Sequence, residues 1–230
     1  PQDKVAVSTI VSSAMPDVLA RARGFEMRRV LTGFKYIGDQ IDQLKDAGEE
    51  DRFLMGFEES YGYLVGTHAR DKDAIVATML CVEMASWYAA RNMDLYEAMD
   101  ALYQRYGYYL NGVVNAAYPG AEGAAKMAQI MSSLRKNPLE MVGNYKVVGV
   151  TDYAECAEMP RVSGLQKEAP QTLPASNVIE YRLEGDNKVI FRPSGTEPKV
   201  KAYLFANGAT REEAEARIAE LSEAAQQVLS

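Results

Sequence analysis

What most constrains the fold of this 230-residue chain is a change of pattern near Tyr106-Gly107. Before that point short apolar runs alternate with longer helical stretches. Residues 4–11 (KVAVSTIV) read as a buried strand, Ser12-Ser13 as a turn, and a helix is entered near Pro16 or Asp17. Residues 28–31 read as a short strand, Thr32-Gly33-Phe34-Lys35 turns the chain, and 37–46 reads as a helix. Residues 53–56 form a strand feeding the loop 57–72. From 73 to 91 a long helix is predicted, with Ile75, Val76, Met79, Leu80, Val82 and Trp87 on more than one face, a pattern that predicts burial. Strands alternating with helices give an α/β three-layer domain with a mixed sheet over residues 1–107.

After Tyr106-Gly107 the strands come closer together. Residues 108–117, 146–150, 178–183, 188–191 and 200–205 read as strands, and Glu184-Gly185-Asp186-Asn187 as the turn of a hairpin. Met127, Ile130, Met131 and Leu134 share a helical face that Asn137-Pro138 ends. Thr210 and Glu213 form a capping box for a last helix with Ala214, Ile218, Leu221 and Ala225 on one side. The expectation for 108–230 is an α+β domain with a mostly antiparallel sheet and helices on one side. A chain of this length supports two such cores.

Charge and cysteine content narrow the partners. Lys and Arg number 25 against 32 Asp and Glu, a net charge of −7, which argues against nucleic acid. The longest apolar run, 74–82, is too short to span a bilayer and ends at Glu83, and no export signal opens the chain, so neither membrane nor secretion is expected. Cys81 and Cys156 are far apart without metal spacing, which predicts reduced thiols in a cytoplasm, no disulfide and no metal site.

Against that acidic background the stretch FRPSGTEPKVKAY, Phe191 to Tyr203, is a concentrated anion-binding kit. Arg192 offers a bidentate fork, Ser194 and Thr196 offer hydroxyls, Gly195 lets the backbone approach closely, and Lys199 adds a point charge. A phosphomonoester carries close to two negative charges and matches two cations. The stretch leads into a strand and lacks the P-loop spacing, so the site is of the backbone-nest type. The plainer reading is a surface turn whose polar residues cap strand ends.

Arg-Pro-Ser-Gly-Thr-Glu-Pro-Lys resembles the phosphate-binding loop in the last domain of the phosphohexomutases, the phosphoglucomutase and phosphomannomutase superfamily. Gly56-Phe57-Glu58-Glu59-Ser60-Tyr61-Gly62 is similar to the sugar-binding loop of that family's third domain, with Phe57 where many members have glycine. Leu31-Thr32-Gly33-Phe34-Lys35 and His68-Ala69-Arg70-Asp71-Lys72-Asp73 resemble two further blocks of the same domain, in the same order. GFEESYGY with LTGFKYI looks most like the bacterial phosphoglucomutase branch that also contains phosphopentomutases.

The resemblance implies a phosphosugar mutase that interconverts glucose 1-phosphate and glucose 6-phosphate through a bisphosphate, with mannose or ribose phosphates as alternatives. It assigns Glu58 and Ser60 to sugar hydroxyls, with Thr32, Gly33, His68 and Lys72 as further substrate contacts. If residues 58–60 are extended, Glu58 and Ser60 face the same side. Without the resemblance, Glu58-Glu59 reads as a solvated acidic loop. His68, the single histidine, is either a substrate contact, an acid/base group or a surface residue.

The family's catalytic serine loop and magnesium loop do not occur in this sequence. The chain is therefore expected to be the third and fourth domains of a four-domain enzyme, inactive alone. Mg²⁺ and glucose 1,6-bisphosphate are expected to serve the full-length enzyme, and the missing N-terminal domains to be its partners. A last domain that rotates about residues 106–111 is also implied. The competing readings are a stand-alone phosphosugar-binding module and a structural domain whose loops have lost their ligand.

Overall fold

The computed structural model describes residues 2–120, 122–155, 158–159, 171–195 and 197–230. Thr196 and Cys156 lie outside the described residues. Compactness divides the chain into a first unit, which holds the residues up to Tyr106 together with 158–159 and Gln171, and a second unit of the remaining described residues.

The first unit is built on β1 (Val5–Thr9), whose five residues are all buried. It pairs in parallel with β2 (Glu26–Val30) on one side and with β3 (Phe53–Phe57) on the other. The fourth strand, β4 (Tyr63–Val65), runs antiparallel to β3, giving a mixed sheet of order β2-β1-β3-β4. A strand covered on both faces has no solvent side, which is why VAVST is almost continuously apolar. Val5 and Val7 face α2 (Phe34–Asp46), together with its Phe34, Ile37, Ile41 and Leu44. Ala6 faces the opposite way, in a small cluster with Met27 and with Ala20 of α1 (Met15–Arg23). Helix α1 carries Pro16 in its first turn and ends on left-handed Gly24 (φ 75°).

The helix expected at 73–91 runs as α3 (Ala74–Ala89), capped by Asp73, whose carboxylate accepts from the amides of Ile75 and Val76. It does not lie buried as its composition predicts: none of its residues is buried. The described residues supply cover on one side of α3 only, so the all-round apolar pattern is left without neighbours elsewhere. A further helix, α4 (Leu95–Tyr106), was not anticipated by the apolar pattern; Ala98 is its single buried residue. The expected loop 57–72 contains β4.

The second unit is a six-stranded antiparallel sheet. Its strands are β5 (Tyr108–Ala117), β6 (Met141–Val142), β7 (Tyr145–Asp152), β10 (Ile179–Leu183), β11 (Lys188–Pro193) and β12 (Lys199–Gly208), in the order β5-β12-β11-β10-β7-β6. The short β8 (Glu158–Met159) and β9 (Gln171–Thr172) pair with each other. Helices α5 (Gly123–Lys136) and α6 (Arg211–Val228) cover one face, packing Met131, Leu134 and Leu221 against Tyr181, Phe191, Val200 and Leu204. The Tyr181 hydroxyl donates to the carbonyl of Leu134 (2.9 Å), tying α5 to the sheet. Thr210 accepts from the Glu213 amide, while the Glu213 carboxylate accepts from Ala209, so the capping box closes one residue before the N-cap. No helix among the described residues is long and apolar enough to cross a membrane.

Gly56 sets how closely α2 approaches the first sheet. A Cβ on Gly56 would stand 2.3 Å from Ile37 Cγ2, so any side chain there forces helix and strand apart. Gly56→Ala is expected to destabilise the chain by about 1–3 kcal/mol, read from the urea midpoint. A midpoint equal to that of the parent would show that α2 is not held at this distance.

Candidate functional site

In the first unit the candidate residues gather at the carboxyl ends of the parallel strands, where open α/β sheets bind ligands. Glu58 directly follows β3 and is 8 % exposed. Its Oε1 accepts from the amide of Gly33 (2.8 Å), the residue before α2. A carboxylate at this place satisfies one of the helix's open amides and meets the positive end of its dipole. Gly33 has φ 126°, which explains glycine at this point of the Thr-Gly-Phe-Lys turn.

Gly62 lies at the other side of the Glu58 carboxylate. A Cβ there would meet Glu58 Oε2 at 3.2 Å, Lys72 Cδ at 3.3 Å and a ring carbon of Phe34 at 3.3 Å. Glu58, Lys72 and Phe34 therefore crowd around Gly62, and the Gly33 amide holds the other oxygen of the same carboxylate. The Thr32 hydroxyl is buried without a hydrogen-bond partner, a donor left available on the residue before Gly33. Lys72 pairs with Asp71 (2.9 Å), and that hydrogen bond, followed by the fields of Asp71 and Glu58, holds its ammonium pKa above the usual value.

Ser60 is placed differently from expectation. Residues 58–60 are not extended: Glu59 and Ser60 form a turn, and the Glu58 amide closes it on the Gly62 carbonyl (2.9 Å). Ser60 is exposed at that turn, beside Tyr61 in a left-handed conformation (φ 65°). The alternation of side chains that would align it with Glu58 is lost because a hairpin from β3 to β4 needs a tight reversal here.

His68 points to Asp73, Nε2 to Oδ2 2.9 Å, and the imidazole is more than half exposed. That bond, with the amides of Val76 and Ile75, depresses the Asp73 pKa below 3.8. In this conformation His68 supports the cap of α3. Arg70 pins the same loop, pairing with Asp42 (2.6 Å) and donating to the Thr67 carbonyl (2.7 Å).

Several participants escaped the sequence reading. Glu59, read alternatively as solvated acid, accepts from Thr9 Oγ1 (2.9 Å) and Ser12 Oγ (3.4 Å). Arg29 donates to the carbonyls of Thr9 (2.9 Å) and Ser13 (2.6 Å) and pairs with Asp17 (2.5 Å). These bonds fix the loop after β1 next to the Glu58 turn. The legible signal was Ser12-Ser13 directly after a strand.

In the second unit Arg192 and Lys199 are on β11 and β12, with Ser194 and Gly195 in the connection. The Ser194 amide donates to the Lys199 carbonyl and the Lys199 amide to that of Glu197, both 2.8 Å, which makes the turn tight. Lys199 Nζ pairs with Glu197 (2.5 Å), and this bond holds the Glu197 carboxyl below its usual range. The Arg192 guanidinium has no hydrogen bond or ion pair among the described residues. A Cβ on Gly195 would meet nothing within 4 Å, so the loop is open on that side. Register adds Lys201, opposite Arg192 and two residues from Lys199, hence on the same face of the sheet. Alternation along β12 was the available signal for Lys201. The second unit thus presents Arg192, Lys199 and Lys201 around an open turn with one internal counter-ion, an arrangement that takes an anion.

Comparison with known proteins places this geometry. Residues 1–106 match the family model described as phosphoglucomutase/phosphomannomutase, alpha/beta/alpha domain III. A phosphoglucomutase of Staphylococcus aureus strain RF122 is 34% identical over 203 residues, which is 87% of this chain and 35% of that protein. The phosphoglucomutase of Staphylococcus haemolyticus is 32% identical over 207 residues, 90% of this chain and 37% of its own length. Among solved structures, Paramecium pp63/parafusin, a phosphoglucomutase in open form, superposes with a TM-score of 0.68 at 18% identity over 97% of this chain and 37% of its own. A phosphoglucomutase/phosphomannomutase family protein of Burkholderia thailandensis gives 0.52 at 12% identity, covering all of this chain and 37% of that one. The likeness to these two structures concerns the fold. Residues 1–106 belong to the phosphoglucomutase/phosphomannomutase family as its domain III, the chain is similar to phosphoglucomutases over most of its length, and it spans about a third of the length of the curated relatives it matches.

The Asp73 cap gives a pH prediction. A depressed folded pKa means the cap's contribution is complete above the unfolded value, 3.8, and is lost as pH falls through the lower folded value. His68→Ala is expected to raise the Asp73 midpoint, followed by carboxyl NMR. An unmoved midpoint would show that His68 does not hold Asp73.

Proposed function

We propose that this chain is the substrate-binding portion of a phosphosugar mutase that interconverts glucose 1-phosphate and glucose 6-phosphate through a bisphosphate intermediate. The observation that carries the reading is Arg192: an unpaired guanidinium beside the open Gly195 turn, in a chain of net charge −7. Its fork takes two oxygens of the phosphate that is not being transferred, and Lys201 adds charge on the same face. Binding draws Lys199 away from Glu197, so the loop exchanges an internal counter-ion for the ligand. Glu58 takes adjacent sugar hydroxyls through the oxygen not committed to Gly33, and the buried Thr32 hydroxyl gains a partner there. A clamp for two neighbouring hydroxyls suits a bisphosphate that turns end for end, because those hydroxyls exchange places. Lys72 lies beside the Glu58 carboxylate at Gly62 and offers its ammonium to the transferring phosphate. Ser60 reaches the sugar by movement of its exposed turn.

Phosphoryl transfer itself is assigned to parts of the longer polypeptide that the relatives possess. Mg²⁺ would neutralise charge on the transferring group. Among the described residues no three His, Cys, Asp or Glu side chains converge to hold a metal.

The test is an NMR titration with inorganic phosphate and then glucose 6-phosphate. Shifts at Gly195 with both ligands and at Gly33 and Glu58 with the sugar alone are expected. Arg192→Ala is expected to weaken phosphate binding roughly 10- to 100-fold, the effect of losing hydrogen bonds to a charged group. No shift at Gly195, or an Arg192→Ala variant that binds phosphate as the parent does, would sink the reading. A coupled glucose 1-phosphate assay of the chain, supplied with Mg²⁺ and glucose 1,6-bisphosphate, is expected to stay at background.

A further inference from the structure

Helix α3 is apolar on sides that no described residue of its own unit covers. Ile75, Met79 and Val82, spaced i, i+4, i+7, are 76, 65 and 61 % exposed and form one stripe. Leu80, Met84 and Trp87 repeat the spacing on a second side and are also exposed. Only Val76, Ala77, Ala85 and Tyr88 on this helix are even half-buried. Glu83 is its one charged residue. A helix apolar all round is normally enclosed, and a contiguous exposed patch of this kind marks an interface.

The second observation is electrostatic. The carboxyl end of α3 borders a cleft of about 290 Å³, walled by Trp87 and Tyr106 and carrying Arg23, Arg91 and Arg105. Arg91 stacks on the Trp87 ring at 3.5 Å, and Arg105 sits over Tyr106 at 5.2 Å. None of the three arginines has a carboxylate partner among the described residues, although acidic residues outnumber basic ones in the chain. The Tyr106 hydroxyl is buried without a hydrogen-bond partner. Trp87 belongs both to the second apolar stripe and to the cleft, so the two surfaces are continuous.

We propose that α3 and this cleft receive an amphipathic helical segment of the same polypeptide, outside residues 1–230, that lays apolar side chains on α3 and carboxylates on the three arginines. The proposal rests on the reading of the chain as part of a longer mutase. The occupant follows from two findings: the curated relatives are nearly three times as long as the stretch they share with this chain, and the family numbers residues 1–106 as domain III. Charge complementarity sets its chemistry, since unpaired guanidinium groups beside an apolar strip call for an acidic edge on an apolar helix. Arg23, Arg91 and Arg105 are then structural ion-pair partners rather than ligand contacts.

Cys81, exposed in the middle of α3, reports on the contact. Alkylation at Cys81, followed by peptide mass spectrometry, is compared between the 230-residue chain and the full-length polypeptide. A rate at least about 100-fold slower in the full-length protein is expected, because reaction then requires local opening. Val82→Asp is expected to leave the melting midpoint of the 230-residue chain unchanged and to lower that of the full-length protein. Equal Cys81 rates in both, or a Val82→Asp that is silent in both, overturns the proposal. So does a native protein that begins at Pro1. Protection of Cys81 that grows with the concentration of the 230-residue chain overturns it in favour of a second copy. The two readings fail separately: Cys81 unprotected in a full-length protein that turns over glucose 1-phosphate removes this inference alone. Cys81 protected in one with no turnover removes the mutase reading alone.

Discussion

The first unit depends on how closely α2 can sit against its neighbours, and two glycines permit it. Gly56 lies under Ile37, and Gly38 faces the Arg70 carbonyl, where a Cβ would stand 2.7 Å from the oxygen. With the helix seated at that depth, Gly33 at its start arrives within hydrogen-bond reach of Glu58 at the end of β3. The loop bearing Arg70, Lys72 and Asp73 is held against the other side of the helix through Asp42. Glycine at position 56 of the motif is thus explained by packing, and glycine at 62 by the space the Glu58 carboxylate and Lys72 occupy. Burial of the Glu58 carboxylate is tolerable because a helix N-terminus receives it.

Charge is organised differently in the second unit. Regular antiparallel pairing puts Arg192 and Lys201 opposite each other, and Lys199 on their face, so three cations meet without any helix dipole. Among the described residues Glu197 answers them locally, through Lys199. An overall acidic chain can therefore hold a strongly local positive well, because interaction falls off with distance and screening while the three cations are held together by the sheet. Tight closure of the turn by Ser194 and Lys199 keeps the loop short and its geometry preset.

The longer strands, the hairpin at Glu184–Asp186 and the last helix were legible because each carries a local signal: an apolar run, a left-handed turn residue, a side-chain cap. The pairing of Gly33 with Glu58 was not, since 25 residues separate them and only the parallel packing of β3 beside β1 brings the strand end to the helix start. Ser60 was misplaced for the opposite reason. A local rule, strand alternation, was carried past the end of β3 at Phe57 into a reversal. Glu59 and Arg29 carried no sign of their roles because both act on backbone and hydroxyl groups brought near by the fold. Burial of α3 was predicted from its composition, and its own domain supplies too few neighbours to fulfil it.

Periodicity and turn chemistry, which are local, determined from the sequence that the chain has an α/β unit followed by an antiparallel α+β unit. The Arg192–Lys199 stretch and the Gly56–Gly62 stretch were recognisable for the same reason: their residue types and spacing are written contiguously. Tertiary structure alone decided that Glu58 is anchored by Gly33, that His68 serves Asp73, that Lys201 joins Arg192, and that Lys199 is already paired with Glu197. Each of these depends on distances between atoms far apart in sequence or on the face a strand residue takes. Those are fixed only when the cores close, because packing, not local preference, sets the depth and register of the elements.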